Sequence, residues 1–151
     1  MAGTCVDINI KEVKELAALF AEAKLSLEDK AQLLKDLAAE VLSQTLTRFD
    51  TQLDPEGRKW KPIAESTRKF LNKYFPYDTY LLVRTGELRD SVEVHPEGSE
   101  TISIGSAKEY AEYIQDGTSK MPARPLFGIG TGDYPELIRI TTDFLSARLS
   151  K

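Results

Sequence analysis

Apolar residues recur at spacings of three and four through the first fifty positions. Ile10, Val13, Leu16 and Phe20 form the stripe of a short helix. A longer stripe runs Leu27, Ala31, Leu34, Ala38, Val41, Thr45 and Phe49. It follows Ser26, with Asp29 three residues on as an imperfect capping box. The rod is over six turns long, about 34 Å at about 1.5 Å per residue, where the mean helix has about 11–12 residues. Cover over a sheet is its simplest use, and its overhang suits a neighbouring subunit.

Past residue 50 the pattern changes. Asp54-Pro55-Glu56-Gly57 has the residues of a type I turn. A third helix is expected over about 64–75, with Thr67, Phe70, Leu71 and Tyr74 along one side. The stretch "TYLLV" reads as a short strand. Val92 and Val94 alternate with polar residues, "PEGS" turns the chain, and Ile102 and Ile104 alternate again. This predicts a hairpin over 91–105 with one face buried. Residues 107–115 read as helix, 117–132 as irregular chain, and 134–149 as a closing helix with Asp133 as its N-cap. The expected fold class is α+β: a small antiparallel sheet with hairpin 91–105 packed against long N-terminal helices and a C-terminal helix. One domain over 1–151 is expected, with N-terminal helices at 8–49, an α+β core at 58–116, a docking loop at 117–132 and the C-terminal helix at 133–149.

Composition agrees with a packed fold. The 151 residues are 41% hydrophobic and 29% charged, an ordinary globular balance and not a disordered one. A net charge of −4 gives no overall steering towards nucleic acid or an anionic membrane. Cys5, the single cysteine, leaves no internal disulfide and fits a reducing compartment. No apolar run reaches the roughly 20 residues of a membrane span, and no signal-peptide pattern opens the chain. A soluble protein folded in a cytoplasm is expected.

Chemistry is sparse. His95 is the one histidine, and strand alternation puts it with Ser91 and Glu93 on the face opposite Val92 and Val94. One histidine builds no histidine-rich metal cluster, and Cys5 is far away in sequence. "GIGTGD" at 128–133 invites a phosphate-loop reading. Its spacing is G-x-G-x-G, no Lys-Ser/Thr pair follows, and Asp133 puts a negative charge where a phosphate would meet the helix. The carboxylates lie mostly on helix surfaces, and nothing marks a nucleophile–base pair. No catalytic residue, cofactor site or metal site is expected, and the chain does not read as an enzyme.

Charge is unevenly spread. Residues 58–73 carry Arg58, Lys59, Lys61, Arg68, Lys69 and Lys73 against Glu65, while the sequence on either side is net acidic. Trp60, Phe70 and Tyr74 are interleaved with these cations, so a DNA or partner contact through Arg58, Lys59 and Lys61 is one reading. Opposite-sign patches on one chain suit self-association better, the basic face of one copy meeting an acidic face of the next.

Four segments, taken in order, resemble the phage virion morphogenesis family, the Mu-like and P2-like tail-completion or head–tail joining proteins. They are "DPEGRKWKPIAESTRKF" (54–70), "LLVRTGELRDSVEV" (81–94), "ISIGSAKEYAEYIQDG" (102–117) and "MPARPLFGIG" (121–130). The chain departs from that pattern at Ala64, where a capping serine or asparagine is common, and at Ile114, where histidine is common; Ile114 is expected to be packed. The resemblance implies a structural virion protein and not an enzyme, acting in the neck or at the head-proximal tail end. It would complete or terminate the tail and join it to the head. Its implied partners are itself in a ring, six-fold by expectation, tail tube, sheath or tail terminator proteins, head connector proteins, and genomic DNA passing through the channel without sequence-specific binding. No membrane is implied, and the location would be the virion, with the host cytoplasm during assembly. A head morphogenesis factor and a DNA-contacting assembly protein are the alternatives.

Within 110–130 the expected design is a docking arm. Tyr110 and Ile114 anchor its helix, Gly117 releases it, and Arg124 is held between Pro122 and Pro125. The expected oligomer or partner interface comprises Arg124, Pro125, Phe127, Trp60 and Tyr113, with Phe127 as the apolar anchor.

Overall fold

The computed structural model describes residues 4–9, 16, 18, 19, 21, 24–62, 65–74, 87–97, 100–119 and 122–149. Strand β1 spans Thr4–Asn9, helix α1 Leu27–Thr51, α2 Glu65–Tyr74 and the short α3 Glu87–Asp90. The hairpin follows as β2, Val92–Glu97, and β3, Thr101–Ser106. Helix α4, Tyr110–Asp116, a 3-10 turn at Thr131–Asp133 and helix α5, Tyr134–Leu149, complete the order. The α+β architecture expected from the sequence is present.

Helix α1 starts where its cap chemistry puts it, with Ser26 Oγ accepting the Asp29 amide at 3.1 Å. Its end is held by Gln52 in the left-handed region at φ 62°, whose amide donates to the Arg48 carbonyl at 2.8 Å. The buried face is Leu33, Leu34, Leu37, Ala38, Val41, Thr45, Arg48 and Phe49. It is broader than the expected stripe, because α1 packs on β2 and β3 and also on α5. Leu27 and Ala31, expected in that stripe, are exposed in the helix's first turns. Burying each large apolar side chain here contributes about 1.5–3 kcal/mol, so packing and not propensity holds the rod.

The sheet order is β1-β3-β2, all antiparallel. The hairpin register pairs Val92 with Ser106 and Val94 with Ile104. Strand β1 corrects the expectation of helix alone before residue 50. It pairs Thr4 with Ser106, Val6 with Ile104 and Ile8 with Ile102. Its arrival makes β3 the central strand, and β3 is buried continuously from Ile102 to Ser106. Since successive strand residues point to opposite faces, both faces of β3 are covered; the expectation of one buried face describes β2 only. On β2, Val92 is buried while Glu93 and His95 are exposed.

Of the N-terminal stripe, Leu16 is helical and fully buried, while Ile10, Val13 and Phe20 lie outside the described residues, as does "TYLLV". Helix α5 runs antiparallel to α1. Gln44 Nε2 donates to the Asp133 carbonyl at 3.4 Å at one end, and Arg148 meets Asp29 at 3.2 Å at the other. Leu137, Thr141 and Leu145 form its buried line.

Candidate functional site

Between Gly117 and Asp133 the described residues form no extended strand, yet the segment is tied down at four points, three by side chains from other elements and one by its own Arg124. The first is Arg48, which enters from the last turns of α1. Its Nη1 donates to the Leu126 carbonyl at 2.8 Å and the Gly128 carbonyl at 3.0 Å, and its Nη2 meets Asp133 Oδ2 at 2.5 Å. The Arg48 side chain is 5% exposed and that of Asp133 18%. Burial draws the guanidinium below its ordinary value while the Asp133 charge pulls the other way. A buried arginine with every contact an acceptor is a joint, holding loop and helix in one arrangement.

The second and third ties come from α4 and from the stretch before α2. Gln115 acts as a substitute strand partner. Its Oε1 accepts the amides of Leu126 (2.8 Å) and Phe127 (2.9 Å), and its Nε2 donates to the Phe127 carbonyl at 3.1 Å. Trp60 Nε1 donates to the Pro125 carbonyl at 2.7 Å, and its ring meets Phe49 edge-on with centroids 6.3 Å apart. Arg124 is the fourth tie. Its Nε donates to the Lys61 carbonyl at 2.7 Å, its Nη2 to Pro62 at 3.1 Å, and its backbone amide to Ile114 at 2.7 Å. Burial lowers its pKa from the ordinary arginine value. One residue thus locks the lead into α2 against the end of α4.

The turn before Trp60 closes the far side. Gly57 donates to the Asp54 carbonyl at 2.9 Å with φ +82°, as a glycine at this place allows. Asp54 Oδ1 accepts the amides of Glu56 and Arg58, both at 2.9 Å. Gly130 lies against this turn so closely that a Cβ there would fall 1.5 Å from the Pro55 carbonyl oxygen. Its amide donates to Asp133 Oδ2 at 2.8 Å. Asp133 sits inside the 3-10 turn, so its carboxylate turns back onto Gly130 and Arg48. It therefore does not make the ordinary cap of α5 that the sequence suggests. The chain supplies its own anion where a phosphate loop would hold a ligand. A cleft of about 340 Å³ opens between this turn and α1, lined by Gln44, Arg48, Asp54 and Asp133 among others. Of its charged lining, Arg48 and Asp133 are spent on each other, and Glu40, Asp54 and Glu56 leave the rest acidic.

Residues 8–146 match the model of the phage virion morphogenesis family. The chain belongs to this family. It is 34% identical over 110 residues to the Mu-like prophage FluMu G protein 1 of Haemophilus influenzae, an alignment covering 72% of this chain and 75% of that protein. No solved structure matches it. A structural and assembly role in phage virions follows from the family.

Within this virion morphogenesis chain three of the four segments that carried the resemblance converge on the loop just described: 54–70 supplies Trp60, 102–117 supplies Gln115, and 121–130 supplies Arg124. The expectation of a free arm needs correction. Trp60, Arg124 and Phe127 are buried within their own chain, and Pro125 is half-buried. Tyr113 is exposed. Ile114 is packed as expected, but its companion inside is Ala111, while Tyr110 is 39% exposed. Gly117 does end α4, at φ 78°.

Arg58, Lys59 and Lys61 are all exposed, as are Arg68, Lys69 and Lys73 on α2. Arg58 contacts Asp54 at 3.2 Å and Lys69 contacts Glu65 at 3.6 Å. His95 faces solvent and lies 3.3 Å from Glu93. Among the described residues no group of three or more His, Cys, Asp and Glu side chains is placed to hold a metal, and no helix is long and apolar enough to cross a membrane. Sequence reasoning missed Arg48 and Gln115. Arg48 left a signal, a charge three residues after Thr45 and beside Phe49 on the buried face of α1.

Proposed function

We propose that this chain is a single-domain structural protein of the neck or head-proximal tail end, acting as a homo-oligomeric ring that completes the tail and joins it to the head. Family membership across 8–146 carries the reading. The architecture supports it: the motif-bearing segments are spent on a rigid internal joint, which suits a scaffold that presents surfaces and does not turn over a substrate. In this reading Arg124, Trp60 and Phe127 serve the interface from within, fixing the helices that face neighbours, while Tyr113 touches them directly. Function comes through binding and not catalysis. Tail tube or sheath proteins lie on one side and connector proteins on the other, and DNA passes through a lumen whose low basic charge gives few phosphate contacts.

Electron microscopy of particles assembled without the protein tests this. Filled heads beside separate finished tails are expected. Empty or malformed heads would instead place the protein in head morphogenesis.

A further inference from the structure

Single exposed apolar side chains are ordinary, but paired ones with matching charge are not. Among the described residues the exposed large hydrophobics are Leu27, Phe70, Tyr74, Tyr110 and Tyr113. Four of these five lie on just two short helices. On α2, Phe70 and Tyr74 are one turn apart with ring centroids 4.8 Å apart, and Lys73 Nζ lies 5.3 Å from the centre of the Tyr74 ring. Lys73 and, further round, Lys69 flank this pair; with Arg68 they give the helix three cations against one acid, Glu65. On α4, Tyr110 and Tyr113 are three residues apart, hence on one face. Glu109 and Asp116 flank them and Glu112 lies further round the helix, all three exposed, with half-buried Lys108 just before the helix.

The two faces are alike in aromatic content and opposite in charge. The geometry points to a head-to-tail contact in which the α2 face of one copy docks on the α4 face of the next. The partner is a second copy of this chain, and the inference rests on the assembly reading above for its setting. Three arguments select this pairing. Aromatic side chains on both faces supply apolar area at little ordering cost, and Tyr is enriched at interface hot spots. Opposite charge steers the encounter and fixes register. Pairing α2 with α2, or α4 with α4, sets like charges together, which disfavours a two-fold contact. A contact between two different surfaces is heterologous, the kind that closes into a ring when the rotation permits. The Arg124 joint ties the approach to one face to the end of the other. Its guanidinium holds the carbonyls leading into α2 while its amide holds the end of α4.

The test is sedimentation equilibrium of the full chain at about 0.1 M salt, where the Debye length is about 10 Å. One variant carries Lys69→Glu with Lys73→Glu, the other Glu109→Lys with Asp116→Lys. These side chains are exposed, so both variants should fold, and circular dichroism checks it. Each variant alone is expected to lose at least tenfold in association. An equimolar mixture regains it, because reversed α2 now fits reversed α4 while the two unaltered faces still fit each other. Variants that associate like the parent chain, or a mixture that stays dissociated, would overturn the pairing. So would a parent chain that is monomeric throughout, or an α2 variant that loses only salt-dependent duplex DNA binding. Such a failure leaves the particle microscopy above free to support the virion role.

Discussion

Removing the Asp133 carboxylate strikes the joint at its one charged partner among the described ion pairs. Arg48 would keep its two carbonyl acceptors but lose the carboxylate it is hydrogen-bonded to. Breaking a buried ion pair from one side costs about 3–5 kcal/mol when the survivor is fully enclosed. Asp133 is 18% exposed, so water reaches the gap and the cost falls to the bottom of that range or just below it. Asp133→Ala is expected to destabilise by about 2–3 kcal/mol. Asp133→Asn keeps an acceptor for Gly130 and should lose about half as much. Arg48→Met strands two carbonyls and the carboxylate, at about 4 kcal/mol. The double variant, Arg48→Met with Asp133→Ala, should cost at least about 1 kcal/mol less than the sum, since neither change leaves a lone charge once the other is made. Trp60 is the one tryptophan and lies in this site, so urea unfolding followed by its fluorescence reads the effect directly. At a slope of about 2 kcal/mol/M, Asp133→Ala lowers the midpoint by about 1–1.5 M. A loss below about 0.5 kcal/mol, or strict additivity in the double variant, would refute the claim that this pair holds the loop.

Other outcomes follow from the same contacts. Gln115→Ala leaves the Leu126 and Phe127 amides without their acceptor and should cost about 2–4 kcal/mol, read by urea midpoint. Gly130→Ala must push the Pro55 turn aside; a thermal midpoint unchanged from the parent chain would contradict the close approach. Glu40 is held above the ordinary carboxylate range, chiefly by burial and then by the charge of Glu136. The folded state therefore binds this proton more tightly than the unfolded state, and stability falls as pH rises through the raised pKa. Glu40→Gln should raise the urea midpoint at neutral pH, with the gain fading as pH drops through the carboxylate range; a constant difference across pH would count against it.

Local pattern revealed the helices well, because amphipathic spacing and caps are written within a few residues of each other. Ser26 and Asp29 marked the start of α1, and the bounds of α5 were legible from its apolar line. Strand β1 was not. "TCVDIN" is six residues with a weak alternation, and its meaning comes from pairing with β3 almost a hundred residues later. The same distance hid the full burial of β3, since Ser103 and Ser106 read as polar-face residues until a strand lies on each side. In the loop, the proline-flanked Arg124 stood out, but its acceptors are main-chain oxygens of Lys61 and Pro62, which no side-chain pattern announces. Sequence suggested an arm reaching outward. Burial of Trp60, Arg124 and Phe127 instead makes it a brace.

The central claim is that the chain sits at the head–tail joint, and locating it in intact particles tests this most directly. Gold labelling of an epitope-tagged copy, imaged on purified virions, is expected to mark one site per particle, between head and tail. Label spread over the capsid, or absent from finished particles, would contradict it.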